Sequence, residues 1–250
     1  MTLIAVLVIL MQLGFGIHCI RTGRSLLWLW IIVLVPVIGC VLYFATQIVP
    51  ESAGSRTVSR AKGQLVNTID PQRELRRRRE LLEASGTVEN RAALADECVE
   101  AKMYDEAIAL YKECLVGVHR TDPSIMEKLA RAYFEKGAAA EARTTLDDLI
   151  RENPGHKSVD GHLLYARTLE ALGQFDEAGK EYEILSSSYP GEEARVRYAL
   201  LLKQTGKADR AQELFRETLA RTKRAPKYYQ AKEREWTRIA ESQATSVAAR

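Results

Sequence analysis

Hydrophobic and polar positions follow two unlike patterns along this chain. As far as residue 49, apolar residues run almost unbroken in TLIAVLVILMQLGFGIHCI (2–20) and LLWLWIIVLVPVIGCVLYFATQIV (26–49), split by RTGRS. From residue 71 onward they recur every three or four positions among charged ones, the period of amphipathic helices. At 1.5 Å per residue the two runs give helices of about 28 and 36 Å, against a hydrocarbon core of about 30 Å. Fifteen of the 24 residues in the second run are Leu, Ile, Val or Phe, which favours insertion into lipid. The pattern predicts a transmembrane helical hairpin over 1–49. The first run has no basic leader and no small-residue cleavage site, so it does not read as a removable signal.

Several odd residues fit that hairpin. Pro36 lacks an amide donor and leaves the carbonyl of Ile32 without its usual partner. Gln12 is a polar handle able to bond across the hairpin, and Gly14, Gly16 and Gly39 permit close backbone approach. Trp28, Trp30 and Tyr43 fall where an interfacial aromatic belt belongs. Behind the hairpin, residues 50–70 mix Pro, Ser, Gly and Thr with bases and read as a linker. Residues 71–86, PQRELRRRRELLEASG, predict a basic helix opened by an Asp70 cap and Pro71. Arg76–Arg79 step around it at 100° each, and Leu75 and Leu82 share a stripe. Two readings of the arginines stand open: attraction to anionic lipid, or a solvated helix paired through Glu74, Glu80 and Glu83.

Residues 88–223 repeat. MYDEAIALYKECL (103–115), AAAEARTTLDDLI (138–150), QFDEAGKEYEILS (174–186) and KADRAQELFRETL (207–219) align, each with an alanine (Ala107, Ala142, Ala178, Ala211) four positions before a large apolar residue (Tyr111, Leu146, Tyr182, Phe215). Glycine stands five before that alanine in three units (Gly137, Gly173, Gly206), and Lys102 stands there in the first. A second alanine lies twelve before (Ala95, Ala130, Ala166, Ala199), and the units are 35, 36 and 33 residues apart. Small residues let paired antiparallel helices touch, and glycine ends the first helix of each pair. This spacing resembles the tetratricopeptide repeat, with Pro154 and Pro190 matching its terminal proline. Its early tryptophan is replaced by Arg91, Met126, His162 and Arg195. The expected architecture is all-α: the hairpin (1–49), linker (50–70), basic helix (71–86), then a solenoid of about four helix pairs over 87–225 (88–122, 123–158, 159–191, 192–225). A capping helix and tail (226–250) follow, with Trp236, Ile239 and Tyr229 against the last unit.

Charge narrows the function. Residues 1–50 hold Arg21 and Arg24 and no Asp, Glu or Lys, so of the net +3 only +1 remains for residues 51–250. A nucleic-acid binder carries a concentrated basic field, and this chain does not. Cys19, Cys40, Cys98 and Cys114 form no CxxC, and the last two read as core. No GxxxxGK[ST], HExxH or Ser-His-Asp neighbourhood is present, and HKSVDGH (156–162) reads as a solvated inter-unit loop. Neither a metal, a cofactor nor catalysis is expected.

Trp28, Pro36, Gly39 and Tyr43, behind a short basic loop, resemble the two-helix N-terminal domain of cardiolipin synthases, the phospholipase D-nuclease N-terminal domain. The HxKxxxxD motifs that carry chemistry in those enzymes are missing: none of the four histidines has Lys at +2 and Asp at +7. The resemblance therefore implies an anchor in a bacterial inner membrane, with two spans. Arg56, Arg60 and Lys62 outnumber Arg21 and Arg24, which places the repeats on the cytoplasmic side.

The repeat family's groove positions project onto Ala92, Asp96 and Val99; Glu127, Arg131 and Phe134; Leu163, Arg167 and Glu170; and Val196, Leu200 and Lys203. Arg131, Phe134, Arg167, Glu170 and Lys203 are the candidate partner groove, with Arg131 and Arg167 its leading pair. The lysine and asparagine clamp of the chaperone-binding members is not reproduced. The expected function is a membrane-anchored scaffold that binds a membrane-associated protein partner, alongside membrane lipid. The alternative is an accessory of cardiolipin metabolism working through the hairpin.

Overall fold

In a computed structural model of the 250-residue chain, the described residues are 2–21, 26–35, 38, 40, 42 and 72–245. They divide into two units at residue 73, and no strand occurs among them. Pro36, Gly39 and Tyr43, the linker at 50–70 and the Asp70–Pro71 cap lie outside the described residues.

The first unit contains α1 (Thr2–Arg21) and α2 (Leu26–Leu34). Among the described residues no helix is long and apolar enough to cross a membrane. Side chains of α1 are described from Leu10 onward, and α2 runs for nine residues, so the expected pair of spans is not a feature of the described chain. What is described is a helix pair in contact. Gln12 Nε2 donates to the carbonyl of Ile32 at 2.7 Å. Among the described residues the close approach is not made at Gly14 or Gly16, where a Cβ would meet nothing within 4 Å. It is made where Cys19, Ile32 and Cys40 are buried together, flanked by Met11, Phe15 and Trp28.

The second unit is a chain of helices: α3 (Arg73–Ala84), then the pairs α4 (Val88–Glu100) and α5 (Tyr104–Cys114), α6 (Pro123–Lys136) and α7 (Ala139–Glu152), α8 (Val159–Ala171) and α9 (Phe175–Ser188), α10 (Glu193–Gln204) and α11 (Ala208–Arg224). Two short helices, α12 (Lys227–Lys232) and α13 (Arg234–Thr245), close it. Successive helices pack on one another, and the apolar clusters overlap adjacent pairs rather than forming one central core. The eight repeat alanines and the residues Tyr111, Leu146, Tyr182 and Phe215 are all buried. Small and large residues thus alternate across each seam, as dense packing requires.

The turn inside each pair is the same device four times. Val99, Phe134, Glu170 and Lys203 carbonyls accept from the amides of Lys102, Gly137, Gly173 and Gly206. One residue on, Met103, Ala138, Gln174 and Lys207 donate to Cys98, Tyr133, Leu169 and Leu202. This is the Schellman arrangement, which needs a left-handed residue. Gly137, Gly173 and Gly206 have φ of 88°, 75° and 84°, and Lys102 is forced to 60° in the same role. We expect Lys102→Gly to raise stability by about 0.5–1 kcal/mol, the left-handed penalty of about 1–2 kcal/mol less the entropy cost of glycine. The urea midpoint would rise; an unchanged midpoint would show that the lysine side chain offsets the strain.

Three pair-opening helices carry side-chain caps: Thr87 accepts from Asn90, Asp122 from Ser124 and Ile125, and Ser158 from Gly161. These satisfy amides that a helix start leaves without partners. The fourth, α10, has none; the carboxylate of Glu233 accepts from the Glu192 amide at 2.9 Å instead. That reach draws Glu233 into a buried position and divides the C-terminal segment into α12 and α13, where a single helix over 226–241 is expected.

At the other end, α3 packs Leu75 and Leu82 onto the α4–α5 core. Two of its arginines turn toward the repeats: Arg79 pairs with Glu106 at 2.8 Å, and Arg78 lies between Glu74 (3.2 Å) and Glu97 (4.0 Å). Cys98 and Cys114 are buried in this same core. Burial, with Glu106 nearby, pushes the Cys98 thiol up to about 11, so both read as packing residues rather than nucleophiles.

Candidate functional site

The groove candidates sit on the first helices of the second, third and fourth pairs, where their surroundings differ sharply. Leu163 is 4% exposed and Val196 0%, so neither lines a surface: this helical position faces the neighbouring pair. Glu127 holds the equivalent position on α6 and is correspondingly enclosed. Its carboxylate lies 3.9 Å from Arg131 Nη2 and 3.7 Å from His156 Nε2. A Cβ on Gly161 would come within 2.9 Å of it, so the start of α8 approaches Glu127 closely only because residue 161 is glycine. In the first unit, Ala92 and Val99 pack against the core. Asp96 there accepts from Tyr111 at 2.6 Å and from Lys128 at 2.8 Å.

Arg131, Phe134 and Arg167 belong together. Arg131 and Phe134 are one turn apart on α6, and the Arg167 guanidinium stacks over the Phe134 ring at 4.7 Å. Such a contact is favourable because the ring face is electron-rich. Burial, then repulsion from Arg197, lowers the pKa of Arg167, and its Nε has no hydrogen-bond partner. Its nearest acid, Glu193, is 3.9 Å away and is claimed more closely by Arg197 Nε at 2.8 Å. Arg131 likewise meets Glu127 only at 3.9 Å. Neither distance is a hydrogen bond, so both guanidinium groups keep donors for an incoming acceptor.

The other two candidates are occupied. Glu170 accepts from the Tyr182 hydroxyl at 2.6 Å, and Lys203 Nζ donates to Gln243 on α13 at 2.7 Å. In their place the strip continues through residues that the projection omitted. Glu193 pairs with Arg197, and the Arg197 guanidinium lies over the Trp236 ring at 5.0 Å. The Glu193–Arg197 spacing of four along a helix was the available signal. The family register points to other faces of α10.

HKSVDGH runs from a largely exposed turn (156–158) into the first turn of α8. Its two histidines turn to different carboxylates, His156 to Glu127 and His162 to Glu181 at 2.6 Å, and together they wall a cavity. Among the described residues no three His, Cys, Asp or Glu side chains are grouped to hold a metal ion.

Residues 99–161 match the tetratricopeptide repeat family, and residues 1–46 match the phospholipase D-nuclease N-terminal family. A search of curated proteins finds no match. Among solved structures, the chain is similar to TTC0263, a thermophilic TPR protein of Thermus thermophilus. That likeness is at 20% identity, over 74% of this chain and 95% of that one, with a TM-score of 0.54. It is also similar to the MamA protein, at 22% identity over 70% and 93% of the two chains, with a TM-score of 0.53. Likeness at this identity speaks to fold, and the fold is a tetratricopeptide-type solenoid.

Proposed function

We propose that this chain is a non-catalytic scaffold, anchored in a bacterial inner membrane by a two-span N-terminal hairpin, whose cytoplasmic repeats capture an acidic segment of a membrane-associated protein. The observation that carries this reading is the Arg131–Phe134–Arg167 strip. Two cations with unspent donors flank an aromatic face, and carboxylate-to-guanidinium bonds are among the stronger polar contacts. The N-terminal family match and the charge-free run at 26–49 support the anchor. Tethering would raise the effective concentration of a partner held in the same membrane.

An Arg131→Glu/Arg167→Glu variant tests it, by crosslinking and mass spectrometry on native membranes. At about 1.5–3 kcal/mol for each hydrogen-bonded charge, the double reversal is expected to weaken capture about a hundredfold or more. An unaltered set of crosslinked proteins would remove the strip from the function. Release of the full chain from vesicles by alkaline carbonate would remove the anchor. The match over residues 1–46 favours one second reading, an accessory of cardiolipin metabolism acting through the hairpin. Under that reading the hairpin alone would co-purify with a lipid enzyme.

A further inference from the structure

On α8, Tyr165 and Arg167 are two residues apart, about 200° around the helix, so the cavity walled by HKSVDGH opens away from the Arg131–Arg167 strip. It measures about 510 Å³ and lies among α7, α9, the turn before α8 and the first two turns of α8. That volume falls within the range of small-molecule sites, roughly 300–1,000 Å³. Its floor is aliphatic: Leu146, Leu149 and Leu185 are buried there. Ile150 and Val159 form walls and remain 53% and 44% exposed. Both branched side chains add to the apolar lining.

The rim sets the charge of an occupant. Glu181 is its acid, and His162 Nε2 already covers that carboxylate at 2.6 Å. His156 is turned to Glu127, which is not part of the lining. Lys157 stands at the mouth with no hydrogen bond or ion pair to any described residue. An ammonium with its three donors free, beside a greasy hollow, matches one negative charge on an unbranched apolar chain. We infer that this cavity binds a single-chain amphiphile with a carboxylate head, a long-chain fatty acid, with the chain among Leu146, Leu149 and Leu185 and the head at Lys157.

The site is independent of the groove reading, and its test is site-resolved so that binding at the N-terminal hairpin cannot imitate it. The full chain in lipid nanodiscs is irradiated with a diazirine-bearing fatty acid and the labelled peptides are mapped. Label is expected on peptides spanning 146–165 and 181–188, competed by dodecanoate and not by dodecyltrimethylammonium. Lys157→Glu and Ile150→Asp change exposed side chains, and each is expected to cut the label there about tenfold, with circular dichroism unchanged. Label confined to the hairpin, equal competition by the cationic amphiphile, or undiminished label in Lys157→Glu would each overturn the assignment. Lys157→Gln serves as a second variant should the charge reversal perturb folding.

Discussion

Replacing Tyr182 with alanine is expected to cost the repeat array about 3–5 kcal/mol, the range for removing a large buried ring. Tyr182 is 0% exposed. It shares a cluster with Leu163, Ala166 and Leu169 of α8 and with Ala194 and Leu201 of α10, so one ring joins the third pair to the fourth. In a solenoid, stability is a sum of unit terms and nearest-neighbour interfaces. The loss should therefore fall on one interface and separate the unfolding of the C-terminal units from the rest. A urea melt followed by circular dichroism would become shallower or biphasic, and hydrogen exchange would accelerate first beyond Tyr182. Tyr182→Phe divides the effect into its parts. It removes only the bond to Glu170, a partly exposed acid that water can resolvate, so about 0.5–1.5 kcal/mol is expected. Equal losses in the two variants would show that the hydroxyl, and not the ring, holds the interface. Burial, followed by the charge of Glu170, raises the Tyr182 pKa, so the phenol remains a neutral donor across ordinary working pH.

The same logic explains why the array is legible in the sequence and parts of the site are not. Alanines at a fixed offset from Tyr111, Leu146, Tyr182 and Phe215 report a packing seam, and packing repeats because each pair meets the next in the same way. The glycine before three of the four second helices was equally legible, since the Schellman turn demands a left-handed residue. Lys102 shows that the turn survives an unsuitable residue when the surrounding helices impose it. Surface positions obey no such rule. Arg131 and Arg167 were identifiable from equivalent offsets. Lys203, at the same offset as Phe134 and Glu170, is diverted by Gln243 on a helix outside the repeat. Trp236 reaches Arg197 from that same helix, and no periodicity within the repeats encodes it. The cavity beside HKSVDGH was hidden for a related reason. Its histidines find their acids 29 residues upstream and 19 residues downstream, separations at which a short motif says nothing.

The positions where the repeat's tryptophan is missing lead to the last prediction. Three of the four hold a basic side chain paired with a carboxylate: Arg91 with Glu113 at 3.1 Å, His162 with Glu181 at 2.6 Å, and Arg195 with Glu192 at 2.6 Å. Polar pairs stand where an aromatic wedge would otherwise fill the seam. Only the last pair is buried on both sides: Glu192 is 0% exposed, and Arg195 also donates to the Ser186 carbonyl. Glu192 further accepts from Tyr229 at 2.9 Å and meets Arg221 at 3.3 Å, which ties α12 and α11 to the start of α10. Glu192→Ala leaves the Arg195 charge buried without its acid, and breaking such a pair from one side costs about 3–5 kcal/mol. Exchange protection over 227–245 is expected to fall with it, since the Tyr229 contact is lost at the same time. Replacing both members, Glu192→Leu with Arg195→Met, removes the stranded charge as well as the bond, and is expected to restore most of the lost stability. A double variant as unstable as the single would mean that Glu192 acts through Tyr229 and Arg221, and that the ion pair with Arg195 is incidental to the closure of the array.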